Sequence, residues 1–191
     1  MGASILRAVE CATVKGRLIY VVGPSGSGKD SLIDYARSRA PANVVFARRT
    51  ITRDASAGGE RHVAATPEEF ESLRANGAFA MHWRANGLDY GIGREIVDWL
   101  GEGRTVVVSG SRQHLPQALA SFPAMQVVSV TASPETLRSR LASRGREKPP
   151  DIEARLSRGA ALGLPPGTAN SEIRNDGNLA QAGERLLALL R

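Results

Sequence analysis

Residues 23–29 read Gly23-Pro24-Ser25-Gly26-Ser27-Gly28-Lys29, a spacing of glycines and one lysine that makes a phosphate-binding loop. The glycines let successive backbone N–H groups turn inward without Cβ clashes, and such a nest at a helix N-terminus holds an anion. Lys29 adds a mobile cation for the terminal phosphates of a nucleoside triphosphate. Asp30 stands where this motif ordinarily carries the serine or threonine whose hydroxyl holds Mg2+, and Ser31 follows it. Three readings of that exchange stay open. Asp30 can serve the metal, directly or through water. Ser31 can take over the hydroxyl's part, although a one-residue shift rotates it by about 100° around a helix. Or Asp30 can simply complement the positive end of the helix dipole.

The other residues able to do chemistry are mostly arginines. Lysine occurs only at Lys15, Lys29 and Lys148, so arginine carries most of the basic charge behind the net +6. The guanidinium fork matches phosphate geometry. Arg48, Arg49 and Arg53 flank Thr50 and Thr52, while Arg140, Arg144, Arg146, Arg155 and Arg158 surround a charged, Pro-rich stretch at 144–151. Aromatic residues make up only 5%, and the arginines fall in separate segments. That distribution argues against a nucleic-acid module, which would interleave a basic stripe with aromatics, and for small anionic substrates. His62, His82 and His114 lack metal-ligand spacing and read as ordinary hydrogen-bonding histidines. The single cysteine, Cys11, excludes an intramolecular disulfide and fits a cytoplasmic location.

These residues need a scaffold, and 191 residues with a 42% apolar share suffice for one domain with a real core. No apolar stretch approaches the ~20 residues needed to cross a bilayer. Residues 1–15 lack the long apolar segment of a signal peptide and read as a short leader before a domain at 16–191. Short β-branched runs at 18–22, 44–46, 105–108 and 125–130 alternate with helical patterns at 31–39, 134–143, 152–162 and 179–190. Ser133 and Asn178 stand at capping positions. The alternation predicts an α/β fold, with a parallel sheet between helical layers in a three-layer αβα arrangement. Between 48 and 94 the rhythm changes. Glycines cluster there, and a helix at 67–75 carries a capping box in Thr66 and Glu69. This segment reads as an inserted acceptor-binding subdomain, and 144–151 reads as a lid over a nucleotide.

The motifs resemble those of the guanylate kinase family of P-loop phosphotransferases, over nearly the whole chain from Gly16 onward. GPSGSGK is similar to that family's phosphate loop, and Thr50-Ile51-Thr52-Arg53 to its acceptor-phosphate motif. The stretch from Ala78-Phe79 to Tyr90-Gly91 resembles the one ending in the family's Tyr-Gly. Arg140-Leu141 and Arg144-Gly145 resemble its lid entry, Arg155-Leu156 its lid exit, and Asn175-Asp176 the pair near the base of bound ATP. Three departures stand out. Met81 replaces the glutamate that reads guanine, Ser109-Gly110-Ser111 replaces an Asp-x-Asp, and Gly59-Glu60-Arg61-His62 lacks an Asp-Tyr pair. A site built to hydrogen-bond a purine loses discrimination without those acceptors.

Conservation of the phosphate grip with loss of the base reader is similar to one branch of that superfamily, the ribose 1,5-bisphosphate phosphokinases. The resemblance lies in GPSGSGKDSL, in Arg48 to Arg53, in Ala57 to His62, in Trp83 to Gly91 and in Val106 to Arg112. It implies ATP-dependent phosphorylation of ribose 1,5-bisphosphate to 5-phosphoribosyl 1-diphosphate plus ADP, with Mg2+, in phosphonate breakdown. It also implies roles. Residues Gly23 to Ser31 and Asn175 would bind the nucleotide; the metal role of Asp30 is instead read from the residues, its carboxylate supplying the negative charge that position 109 lacks. Lys29, Arg144 and Arg155 would act on the transferring phosphoryl group. Arg49, Thr52, Arg53 and Tyr90 would hold the acceptor, a small phosphorylated sugar. Trp83 is read either as the floor of a sugar pocket or as core packing. Neither a nucleic acid nor a membrane is an expected partner, and oligomeric state is left open. The competing readings are a guanylate or other nucleoside monophosphate kinase and a non-catalytic protein-binding module.

Overall fold

A computed structural model describes residues 15–54, 61–143, 145, 148–164, 168 and 170–191. The leader through residue 14, Cys11, Gly58 to Glu60, Arg144 and Arg146 therefore lie outside the described residues.

Five strands form a parallel sheet in the order β2-β7-β1-β8-β9. These are β1 (Arg17–Val22), β2 (Val44–Phe46), β7 (Thr105–Ser109), β8 (Gln126–Thr131) and β9 (Asn170–Arg174). The alternation along β1 divides the core. Ile19 and Val21 pack with Leu32, Ile33, Leu186 and Leu187 on the face covered by α1 (Lys29–Arg37) and α7 (Leu179–Leu190). Leu18, Tyr20 and Val22 pack on the other face, against α3 (Glu95–Gly101) and α4 (Leu115–Ser121). Both faces are covered, which is why the central strands read as unbroken apolar runs. The three layers expected from the sequence are present.

A second sheet, in the order β4-β3-β6-β5, lies in the segment after β2. It comprises β3 (Arg49–Ile51), β4 (His62–Ala64), β5 (Phe79–Ala85) and β6 (Leu88–Gly93). Its Met81, Trp83 and Ile92 join the core on the α3/α4 face of the large sheet. Helix α2 (Pro67–Ala75) starts with the expected capping box between Thr66 and Glu69. Asn178 caps α7 by accepting from the Ala180 N–H, and Ser133 Oγ accepts from the Thr136 N–H at the start of α5 (Pro134–Ser143).

Two helix starts differ from the sequence reading, while several strand bounds and helix ends shift by one or two residues. Helix α1 begins at Lys29, because the loop feeds straight into it through Gly28 in the left-handed region (φ 80°). Helix α6 (Pro149–Ala161) begins inside the stretch read as a lid, since a proline at the first turn fits a helix start. Strand β9 and the small-sheet strands went unread. They are short or mixed in polarity, and their pairing is set by distant partners. No described helix is long and apolar enough to cross a membrane.

Tyr20 sits fully buried under Gly110, with its hydroxyl accepting from the Ser111 N–H (3.0 Å) and donating to the Ser111 carbonyl (3.3 Å). A Cβ on Gly110 would fall 2.1 Å from the ring, so only glycine fits there. Burial pushes the Tyr20 phenol up to about 12, against the opposing Ser111 bond and Arg49 charge. An unfolded tyrosine ionises near 10.0 and the folded Tyr20 near 12, so the folded state loses stability as pH rises between them. Urea melts of wild type and Tyr20→Phe through that window should show the wild type falling more steeply. Parallel curves would contradict the assignment.

Candidate functional site

The phosphate loop, 23–29, joins the end of β1 to α1, the strand–loop–helix setting the motif requires. Its shape is held from behind. Asn175 Nδ2 donates to the Ser27 carbonyl at 2.7 Å, and Arg140 Nη1 donates to the same carbonyl at 3.3 Å and to that of Gly26 at 3.4 Å. With carbonyls held outward, the loop's N–H groups are left to turn toward an anion. Gly28 is obligatory here, because a Cβ would stand 2.4 Å from Asn175 Nδ2. Gly23 is equally crowded, with the Val130 carbonyl 2.5 Å from a Cβ position. Asn175, placed by the resemblance near the base of bound ATP, is 2% exposed and donates to the loop from behind. Arg140 likewise braces the loop.

In front of the loop lies a cleft of about 560 Å³. Residues 23–31 form one wall, with Ser25 and Ser31 exposed. Arg49, Arg53, Trp83 and Tyr90 from the small sheet form the facing wall. Residues 110–113 after β7 close the cleft, together with Arg155, Arg158, Gly159 and Leu162 on and beyond α6. The structure thus gathers the predicted Lys29, Asp30, Ser31, Arg49, Arg53, Tyr90 and Arg155 around one space.

Asp30 lies at its centre. Its Oδ1 accepts from Lys29 Nζ (2.8 Å), Ser109 Oγ (2.8 Å) and Arg49 Nη2 (3.1 Å). Lys29 Nζ also donates to Ser109 Oγ at 2.6 Å. Burial by itself would raise the Asp30 pKa. The Lys29 and Arg49 charges, with the Lys29 and Ser109 hydrogen bonds, outweigh it and hold the carboxyl well below the usual carboxylate range. Arg49 is buried, and a buried cation needs such a partner. It also lies over the Tyr90 ring, 5.6 Å from the centroid.

Tyr90 stacks on Trp83 (5.4 Å between centroids, 1° between planes), and Trp83 stacks on His114 (5.3 Å, 21°). Trp83 both packs into the core and lines the cleft. Burial and the His82 charge lower the His114 pKa, so its imidazole is neutral near pH 7. Arg53 Nη2 lies 3.4 Å from His62 Nδ1. Thr52 does not reach the cleft wall. Its Oγ1 accepts from the Asp89 N–H at 2.8 Å, tying the end of β3 to β6. Met81, where a base-reading carboxylate was expected to be missing, is 3% exposed and belongs to the core.

Comparisons with known proteins agree with this geometry. Residues 19–158 match the AAA domain family. The ribose 1,5-bisphosphate phosphokinase PhnN of Chromobacterium violaceum is 53% identical over 92% of this chain and 94% of its own. The chain belongs to the ribose 1,5-bisphosphate phosphokinase family. The Azotobacter vinelandii member is 50% identical over 92% of this chain and 96% of its own. Guanylate kinase from Anaplasma phagocytophilum has the same fold, with a TM-score of 0.65 at 20% identity over 92% of this chain and 85% of its own.

Sequence reasoning missed Arg112, Gln113, Asn86 and Gly159 as cleft residues. Arg112 ends the 106–112 motif and could have been flagged there, but the motif gives no hint of which way a side chain turns. It also assigned Asn175 to the ligand when its partner is the loop. Losing the shorter of the two bonds to the Ser27 carbonyl, with Arg140 still donating at 3.3 Å, costs about 0.5–1.5 kcal/mol. Asn175→Ala should therefore weaken ATP binding up to about tenfold by calorimetry, with the sheet intact by circular dichroism; unchanged affinity would remove the brace from the account.

Proposed function

We propose that this protein transfers the terminal phosphoryl group of ATP to ribose 1,5-bisphosphate, giving 5-phosphoribosyl 1-diphosphate and ADP. One observation carries the reading: the cleft opposes a triphosphate loop with Arg49 and Arg53, and its one carboxylate among the described lining residues, Asp30, is already engaged by cations. Such a wall grips phosphate and offers no carboxylate to read a purine. The names of the family's curated members support the same acceptor. A role in phosphonate breakdown and a cytoplasmic location go with this reading.

The acceptor oxygen belongs to a phosphate and is anionic at neutral pH. No strong general base is required, and the neutral, stacked His114 is not asked to be one. Catalysis then consists of aligning two polyanions and neutralising their repulsion. Lys29 and the loop N–H groups take the donor phosphates. Arg155 reaches the loop from α6, its Nη1 donating to Ser25 Oγ at 2.9 Å, and is the candidate for charge developing on the transferring group. Arg144 would share that task and lies outside the described residues. Arg49, Arg53 and Tyr90 take the acceptor's phosphate, and Thr52 keeps β3 in register beneath them.

The family's chemistry also implies magnesium. Among the described residues no group of three or more His, Cys, Asp or Glu could form a standing metal site. Magnesium on a nucleotide needs only one or two carboxylates, because phosphates and water complete its shell. Asp30, with the Ser31 hydroxyl beside it, fits that demand, and the metal would neutralise donor phosphate charge. Asp30 would thus supply the negative charge that Ser109 lacks at the end of β7.

A coupled ADP-release assay should give turnover with ribose 1,5-bisphosphate and little with GMP. The reverse ranking would restore the guanylate kinase alternative. In the same assay Asp30→Ala and Asp30→Ser should each lose at least tenfold in kcat at limiting Mg2+. Full turnover by both would exclude Asp30 from the metal.

A further inference from the structure

We infer that Arg112 is a positioning residue for Arg155, acting through the C-terminal end of helix α6. The inference rests on the proposed role of Arg155 in phosphoryl transfer.

Helix α6 is sparsely packed. Ile152 is its one buried residue among those described, and its exposed Arg138–Glu153 pair with α5 is a weak tie. Yet it must hold Arg155 at a defined place over the donor loop. Two features on one face of the helix do this. Arg155 Nη1 donates to Ser25 Oγ, and Gly159, four residues on, lies against Pro24. A Cβ at Gly159 would stand 3.6 Å from Pro24 Cβ and 3.6 Å from Arg112 Nη2, so both the loop and Arg112 come close at this point.

Arg112 closes the arrangement from the sheet side. It follows β7 and is half-buried, and its Nη1 donates to the Gly159 carbonyl (2.8 Å) and the Leu162 carbonyl (2.7 Å). Carbonyls in the last turn have no intrahelical partner, and the negative end of the helix dipole favours a cation there. Among the described residues Arg112 forms no ion pair with a carboxylate, and burial lowers its pKa. Both of its Nη1 hydrogen bonds go to carbonyls at the helix end, while the side chain also lines the cleft. Arg112 therefore fixes the sliding and rotation of α6 on the loop, and with them the reach of Arg155.

The test is a double-mutant cycle in the ADP-release assay. Arg112→Gln should lower kcat at least tenfold, and Arg112→Lys, which keeps a cation beside the carbonyls, should recover most of that loss. In an Arg155→Ala background, Arg112→Gln should cost little further. Equal losses in both backgrounds would overturn the inference, because Arg112 would then act on substrate or on the core. A second readout needs no substrate. Amide hydrogen exchange across 155–162 should quicken in Arg112→Gln while β1 and α7 keep their protection, and unchanged exchange in that segment would also overturn it. If the wild type fails to turn over the bisphosphate, the functional reading falls, and the exchange experiment still decides the role of Arg112.

Discussion

Two cations from facing walls of the cleft meet on one oxygen. Asp30 Oδ1 accepts from Lys29, which belongs to the donor loop, and from Arg49, which belongs to the small sheet. Without that carboxylate, two cations would crowd one end of a low-dielectric cleft and repel each other, and the facing walls would have reason to part. With it, both are held ready, and neither has to be ordered from solvent when a polyanion arrives. The arrangement also accounts for the pair of sequence changes around it. A carboxylate beside the lysine sits within hydrogen-bonding distance of Ser109, the strand-end position where a carboxylate was expected and a hydroxyl stands.

Behind the loop the logic is reversed. The front offers donors to an anion, so the back must take up carbonyls. Arg140 and Asn175 come from elements far apart in sequence and converge on the Ser27 carbonyl. Glycine at 23 and 28 is required by that close packing as much as by backbone conformation. The loop is therefore a tertiary object whose local sequence is only half of its definition.

That distinction sets how much could be read from the chain alone. Helices α2, α5 and α7 were legible to the residue, and so were the caps at Thr66 and Asn178, because each depends on neighbours within four positions. The loop and its flanking strand and helix were legible for the same reason. The small sheet was not, since three-residue strands such as β3 and β4 exist only through their partners. Among the residues that line the cleft, Lys29, Arg49, Tyr90 and Arg155 could be picked out because long charged or aromatic side chains advertise their chemistry. Thr52 and Asn175 carry polar groups that could point either way, and in both the structure turns the side chain toward backbone. Arg112 escaped because its partners are main-chain atoms of α6, which no residue type reveals.

Met81 fits the packing of the small sheet. Its inner face packs Met81 and Trp83 against Val106 and Val108 of the central strands. A purine reader would need a polar acceptor on that face, and an acceptor buried there without a ligand costs several kcal/mol, about 2–7 by transfer measurements. Filling the face with apolar and aromatic side chains removes the cost and stiffens the platform. Tyr90 is then held flat against Trp83, and Arg49 lies over Tyr90. The apolar and aromatic packing of this face thereby orients the Arg49 guanidinium on the cleft wall.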